Sequence, residues 1–149
     1  MIRKARIKDI TSIYKLVNQF AKQELMLPRS LSGLYESSRD FWVYQYHNQI
    51  VGCCALHITW QDLAEIRSLA VKKPWRKKGV GVALINAAIN EAKGLGSKKI
   101  FVLTYIPGYF KNLGFRKINK DKLPHKIWAD CFACPKFPNC KEVALIKKL

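Results

Sequence analysis

The chain has 149 residues, 49% of them hydrophobic, which suits one domain with a substantial core and requires no second one. No apolar window is long enough to span a bilayer, and Met1-Ile2-Arg3-Lys4 runs into patterned sequence rather than a signal peptide, so a cytoplasmic protein without a membrane partner is expected. A net charge of +17 favours anions of any kind, but no helix-turn-helix, zinc-finger or RNA-recognition pattern accompanies it, so nucleic acid is expected only as a non-specific partner.

In chain order, Ile2 to Ala5 reads as a short strand, and Asp9 is placed to cap a helix whose Ile10, Ile13, Leu16, Val17 and Phe20 form one apolar stripe. Ser30 can cap a short helix through Tyr35. Phe41 to Tyr46 and Ile50 to Ile58 read as a hairpin turning at His47-Asn48-Gln49. Leu63 to Val71 is the next strand. Strict alternation along it puts Glu65 and Arg67 on one side with Leu69 and Val71, and Ala64, Ile66 and Ser68 on the other. Two charges on one face form either a solvated ion pair or a piece of chemistry.

After that strand the chain reads Lys72-Lys73-Pro74-Trp75-Arg76-Lys77-Lys78-Gly79-Val80-Gly81, and Val80, Ala83, Leu84, Ala87, Ala88 and Ala92 then recur at helical spacing toward Gly94 and Gly96. A basic, glycine-bearing loop between a strand and a helix N-terminus suits a pyrophosphate. The first helical amides have no intrahelical partners, the helix dipole favours an anion, and Gly79 and Gly81 allow close backbone approach. The plainer alternative is a solvated basic loop whose glycines cap a helix. Lys99 to Thr104 is a further strand.

The five cysteines are an odd number and fit a reducing compartment. Cys53 and Cys54 lie in a strand and read as core. His57 follows Cys53 by an even number of positions, but V-G-C-C-A-L-H-I looks like a buried strand rather than a thiol active site. In the last segment, His125, Cys131, Cys134 and Cys140 are the ligand types of a tetrahedral zinc site. Only one C-x-x-C is present and its partner spacing is unlike a zinc finger, so no metal is expected.

R-x-x-G-x-G after L-A-V resembles the acetyl-CoA signature of the GNAT acetyltransferase superfamily, and G-Y-F-K-N-L-G-F, Gly108 to Phe115, resembles its second signature. Both stand in the family's order. The resemblance implies an α/β (α+β) fold with a mixed, twisted central sheet flanked by helices, one domain over residues 1–149 with a cysteine-containing C-terminal segment 123–149. It implies acetyl-CoA as cosubstrate, held by Leu69, Ala70, Val71, Arg76, Lys77, Lys78, Gly79, Val80 and Gly81. Ala64-Glu65-Ile66 looks like the A-E-I of family histone acetyltransferases, and the resemblance implies Glu65 as the general base, directly or through water, with a backbone N–H near Leu69 or Val71 for the oxyanion. The general acid is commonly a tyrosine in Y-x-x-x-G-F. Here that slot holds Phe110 and the tyrosine is Tyr109, which leaves Tyr109, Tyr105 or a water to serve the departing thiolate, or Tyr109 as packing and a thiolate that leaves without a dedicated acid.

Met26-Leu27-Pro28-Arg29-Ser30 with Leu34-Tyr35-Glu36 resembles the matching segment of bacterial N-acetylglutamate synthases. That resemblance implies amino-acid N-acetylation, with L-glutamate as acceptor at the start of arginine biosynthesis and Arg29 and Arg67 holding its carboxylates. Arginine feedback through an amino-acid-kinase-like domain is not expected of this short form. The alternatives are acetylation of a protein lysine or N-terminus, and a non-catalytic basic nucleic-acid-binding module; a polyamine is disfavoured by the charge. Periodicity does not reveal an interface, so the oligomeric state, a homodimer included, stays open.

Overall fold

The computed structural model describes residues 1–23, 26–124 and 142–149. Strands β1 (Ile2–Lys4), β2 (Phe41–Tyr46), β3 (Gln49–Trp60), β4 (Leu63–Val71), β5 (Lys99–Thr104), β6 (Arg116–Lys117) and β7 (Val143–Lys148) form one mixed seven-stranded sheet. Their order is β1-β2-β3-β4-β5-β7-β6, in which β4 and β5 run parallel and the other neighbours antiparallel. The helices are α1 (Ile10–Lys22), α2 (Leu31–Glu36), α3 (Val80–Gly94) and α4 (Pro107–Lys111). The expected mixed sheet flanked by helices is therefore what forms.

Each sheet face buries its own apolar cluster. On one, Leu84, Ile85, Ala88 and Ile89 of α3 cover Cys54, Leu56, Ala64 and Ile66. α3 lies close because Gly52 has no side chain: a Cβ there would come within 3.0 Å of Val80 Cγ1 and 3.1 Å of Leu84 Cδ1. On the other face, Ile10, Ile13, Leu16 and Val17 of α1, with Leu34 of α2, pack on Phe41, Val43, Cys53, Ala55 and Ala70. Burial of an aliphatic side chain of this size contributes about 1.5–3 kcal/mol, so the α1 stripe is enough to hold that helix in place.

Ser30 caps α2 as expected, its Oγ accepting from Gly33 N at 3.0 Å. Asp9 does something else. Its carboxylate makes no cap bond to α1; it accepts Arg6 N at 2.7 Å and the Arg3 guanidinium at 2.7 and 3.0 Å. It thus closes the 3-10 turn Ile7–Asp9 backward onto β1, because Arg3 offers a buried carboxylate a charge-assisted pair that a helix amide cannot match.

The strand β4 departs from strict alternation. Cys53 pairs with Ala70 and Ala55 with Arg67, so Ser68 and Leu69 together stand opposite Cys54. Ser68, one of the two residues of the bulge, sits in the left-handed region at φ +53. Beyond it the faces exchange. Leu69 and Val71 pack with Ala64 and Ile66 under α3, whereas Ala70 joins the opposite cluster. The expectation that Leu69 and Val71 share a side with Glu65 and Arg67 is therefore corrected: one inserted residue shifts a period-two pattern by half a period.

Candidate active site

The bulge also opens the sheet. Pairing of β4 with β5 runs from Leu63↔Lys99 to Ile66↔Val102, while β5 continues to Thr104 against β7 alone. Past Ile66 the parallel pairing ends, which leaves a wedge between β4 and β5 on the side from which the chain runs on to α3.

At that end Gly79 takes φ +82 as the N-cap of α3 and its carbonyl accepts Ala83 N at 3.0 Å. Lys77 is also left-handed, at φ +63, so two of three consecutive residues turn the backbone just before the first helical amides. Lys77 and Lys78 are exposed, and Lys78 Nζ stands 5.4 Å from the Trp75 ring centroid. Arg76 acts as a staple: its Nε donates to Val71 O at 3.1 Å and its guanidinium lies 4.6 Å from the Phe20 ring centroid on α1. These contacts hold the loop against both the strand end and α1.

Tyr109 reaches this same place from α4. A Cβ on Gly81 would lie 2.6 Å from the Tyr109 hydroxyl and 3.8 Å from Val71 Cγ2, so the phenol fills the space left by Gly81, at the wedge. Partial burial, and then the nearby Cys54, raise the phenol above its ordinary pKa and keep it a proton donor. Phe110, in the slot where the family motif has tyrosine, is buried and packs edge-on to Phe115 with centroids 5.4 Å apart. The Tyr105 hydroxyl is buried as well.

Across the sheet, Glu65 is 5% exposed and Arg67 Nε donates to its Oε1 at 2.5 Å. Arg29 joins them. Its Nη1 donates to Ser68 Oγ at 3.2 Å and its Nη2 to Ser37 Oγ at 3.3 Å, so the bulge residue also seats a guanidinium. Burial lowers the pKa of Arg29, and repulsion from Arg67 lowers it further, which places two cations on one small patch. Such a patch is a ready receptor for carboxylate oxygens.

Two contributors escape a reading of the sequence alone. Asn18 of α1 clamps the Arg29 backbone, accepting Arg29 N at 3.1 Å and donating to Arg29 O at 3.0 Å. Asp40, in the 3-10 turn Ser38–Asp40 before β2, holds His57 Nδ1 at 3.0 Å. Neither has a local motif; an asparagine on the polar side of an amphipathic helix was the only visible sign. Cys53 and Cys54 are fully buried, and burial pushes the Cys53 thiol up to about 12 and that of Cys54 higher still, which leaves neither as a thiolate. His125, Cys131, Cys134 and Cys140 lie outside the described residues. Among the described residues no group of His, Cys, Asp and Glu could hold a metal ion, and no helix is long and apolar enough to cross a membrane.

Comparison with known proteins places the chain in a family and a fold. Residues 7–115 match the model of the acetyltransferase (GNAT) family. An uncharacterized N-acetyltransferase of Chlorobaculum tepidum is 41% identical over 148 residues, 99% of this chain and 96% of the relative. An amino-acid acetyltransferase of Mycobacterium tuberculosis is 36% identical over 121 residues, 79% of this chain and 69% of the relative. Among solved structures, N-acetylglutamate synthase of Neisseria gonorrhoeae, complexed with coenzyme A and N-acetyl-glutamate, superposes with TM-score 0.93 at 27% identity. That match covers 100% of this chain but 35% of the synthase, so the chain corresponds to about a third of that protein. A Mycobacterium tuberculosis protein in complex with CoA superposes with TM-score 0.88 at 28% identity, covering 100% of this chain and 99% of that one. With a bulged β4, a wedge against β5 and a glycine-bearing loop at the start of α3, the chain belongs to the acetyltransferase (GNAT) family and is an acetyl-CoA-dependent acetyltransferase.

Proposed function

We propose that the chain transfers the acetyl group of acetyl-CoA to the amino group of an amino acid, L-glutamate, by direct attack in a ternary complex. The observation that carries this reading is the patch on the face of Glu65: Arg29 and Arg67, seated by Ser37, Ser68 and Glu65, supply paired cations beside one buried carboxylate. The similarity to amino-acid acetyltransferases and to a synthase bound to N-acetyl-glutamate supports it.

In this reading acetyl-CoA is the substrate of the wedge. The loop from Arg76 to Gly81 and the first amides of α3 receive its pyrophosphate, and the β4 backbone from Leu69 to Val71, beyond the last pair with β5, runs beside its acyl arm. Arg29 and Arg67 orient the acceptor through its carboxylates. Glu65 accepts a proton from the ammonium group, because only the free amine has a lone pair to attack the thioester. The C–N bond forms, the oxyanion is met by a β4 backbone N–H, and the C–S bond breaks as the thiolate takes a proton for which Tyr109 is the nearby donor. Release of the product completes the first committed acetylation of arginine biosynthesis in a cytoplasmic enzyme.

The test is thiol release from acetyl-CoA by the purified chain with L-glutamate, L-aspartate, L-glutamine and a lysine peptide. Release that depends on glutamate and yields N-acetylglutamate by mass supports the proposal. Release with the peptide alone assigns the protein to a different acceptor class.

A further inference from the structure

His57 is a titratable side chain that the scheme above leaves unused. It is the register partner of Glu65 across β3 and β4, so the two side chains leave the same sheet face with Cβ atoms about 4.5–5.5 Å apart. Its Nδ1 lies 3.0 Å from Asp40 Oδ2. A carboxylate only accepts, so Nδ1 donates and Nε2 of the neutral ring is left as the acceptor. His57 and Asp40 have side chains 34% and 33% exposed, whereas that of Glu65 is 7% exposed.

The charges facing this group are Asp40 from the turn before β2, Glu65 and Arg67 from β4, and Arg29, on which Arg67 acts against Asp40 and Glu65. They pose a question of where a proton can rest. A proton on Glu65 cancels the partner of Arg67 and leaves two guanidinium groups facing a neutral carboxyl. A proton on His57 creates an imidazolium already paired with Asp40 and keeps the Glu65–Arg67 pair intact.

We propose that His57, backed by Asp40, takes from Glu65 the proton that Glu65 removes from the acceptor ammonium, and passes it to solvent. This rests on the reading of Glu65 as the base. The steps balance: the ammonium gives one proton to the Glu65 carboxylate, the carboxyl gives it to Nε2, and the imidazolium releases it to water. The freed amine attacks, and the second nitrogen proton and the CoA thiolate are accounted for by the departing thiol. Each turnover then yields the amide, the free thiol and one proton. On this scheme the acid side of the activity profile depends on His57 and on the Asp40 carboxylate that holds its Nδ1.

The experiment is the pH profile of kcat/KM for L-glutamate, by thiol release, in the full chain and in H57Q, D40N and E65Q, with folding checked by thermal melting and CoA binding. H57Q is expected to lose about 100-fold at pH 7, and its acid limb moves to lower pH, since the remaining acceptor is a carboxylate, the one paired with Arg67. D40N is expected to move the limb the same way by removing the carboxylate that holds His57 Nδ1, and it covers the case in which H57Q does not fold. An acid limb unmoved in D40N, or in folded H57Q, overturns the proposal. If E65Q keeps full activity, the reading of Glu65 fails instead, and if the wild-type chain is silent with L-glutamate, the acceptor assignment fails; the variants separate the three.

Discussion

Arg67 Nε donates to Glu65 Oε1 at 2.5 Å, so the carboxylate assigned to the substrate's proton is also the counter-ion of a guanidinium assigned to the substrate's carboxylate. Arg29 differs, because its guanidinium is seated on the Ser37 and Ser68 hydroxyls. Substitution should separate the two. R29A should raise KM for L-glutamate about tenfold or more with little change in kcat, as loss of a charge-assisted contact costs about 1.5–3 kcal/mol. R67A should change both parameters. Steady-state kinetics on the two variants check this, and equal effects on kcat would contradict the division of roles.

Replacing the carboxylate itself is the sharper cut. E65Q is expected to lower kcat about 100-fold or more while leaving acetyl-CoA binding near its original value, because Glu65 and the loop at Gly79 lie at different ends of β4. Turnover compared with CoA titration calorimetry distinguishes loss of chemistry from loss of cosubstrate.

Gly81 and Tyr109 form a steric pair that can be tested as one. G81A places a methyl 2.6 Å from the Tyr109 hydroxyl, so the ring must shift, at a typical overpacking cost of about 1–3 kcal/mol. Y109F removes the colliding oxygen. The double variant should therefore recover much of the stability lost in G81A, whereas additive losses would show that the two do not collide. The measurement is chemical denaturation of the wild type and the three variants.

Asp9 links fold to pH. The Arg3 guanidinium holds its carboxyl below the ordinary range, against the opposing effect of burial. A group depressed in the folded state contributes stability that is complete above its unfolded pKa of about 3.9 and is lost as pH falls through the lower folded value. D9N should then be less stable than wild type near pH 7, by about 1–3 kcal/mol, and the difference should shrink in acid. Melting curves from neutral pH down to pH 3 give the comparison.

The fully buried Cys53 and Cys54, with the Cys53 thiol pushed up to about 12, should resist alkylation in the native protein and react only on unfolding. Peptide mapping after iodoacetamide treatment reads this out. Rapid native labelling at either would revive a thiol mechanism.

The legible parts of the sequence were those written locally. Leu63–Val71 and Lys99–Thr104 were readable as apolar runs, and α3 as an alanine-rich helix beginning beside glycines. The bulge was hidden because Ser68 occupies a left-handed conformation that sequence patterns assign to glycine or asparagine, so alternation was carried through it unbroken. Glu65 and Arg67 were visible as charges inside a strand. Asp40 and Asn18 were not, since each acts on a residue brought near by folding, His57 across 17 positions and Arg29 across 11. Tyr109 stood one residue from the motif's slot, yet α4 is only a short helix, and the space above Gly81 admits its ring.

The most direct test of the whole account is the acceptor. Purified protein with acetyl-CoA and L-glutamate should release free thiol and form N-acetylglutamate, seen by mass, with L-aspartate and L-glutamine slower and a lysine peptide inert. Thiol release with the peptide and none with L-glutamate would contradict the assignment of Arg29 and Arg67 to an amino acid's carboxylates.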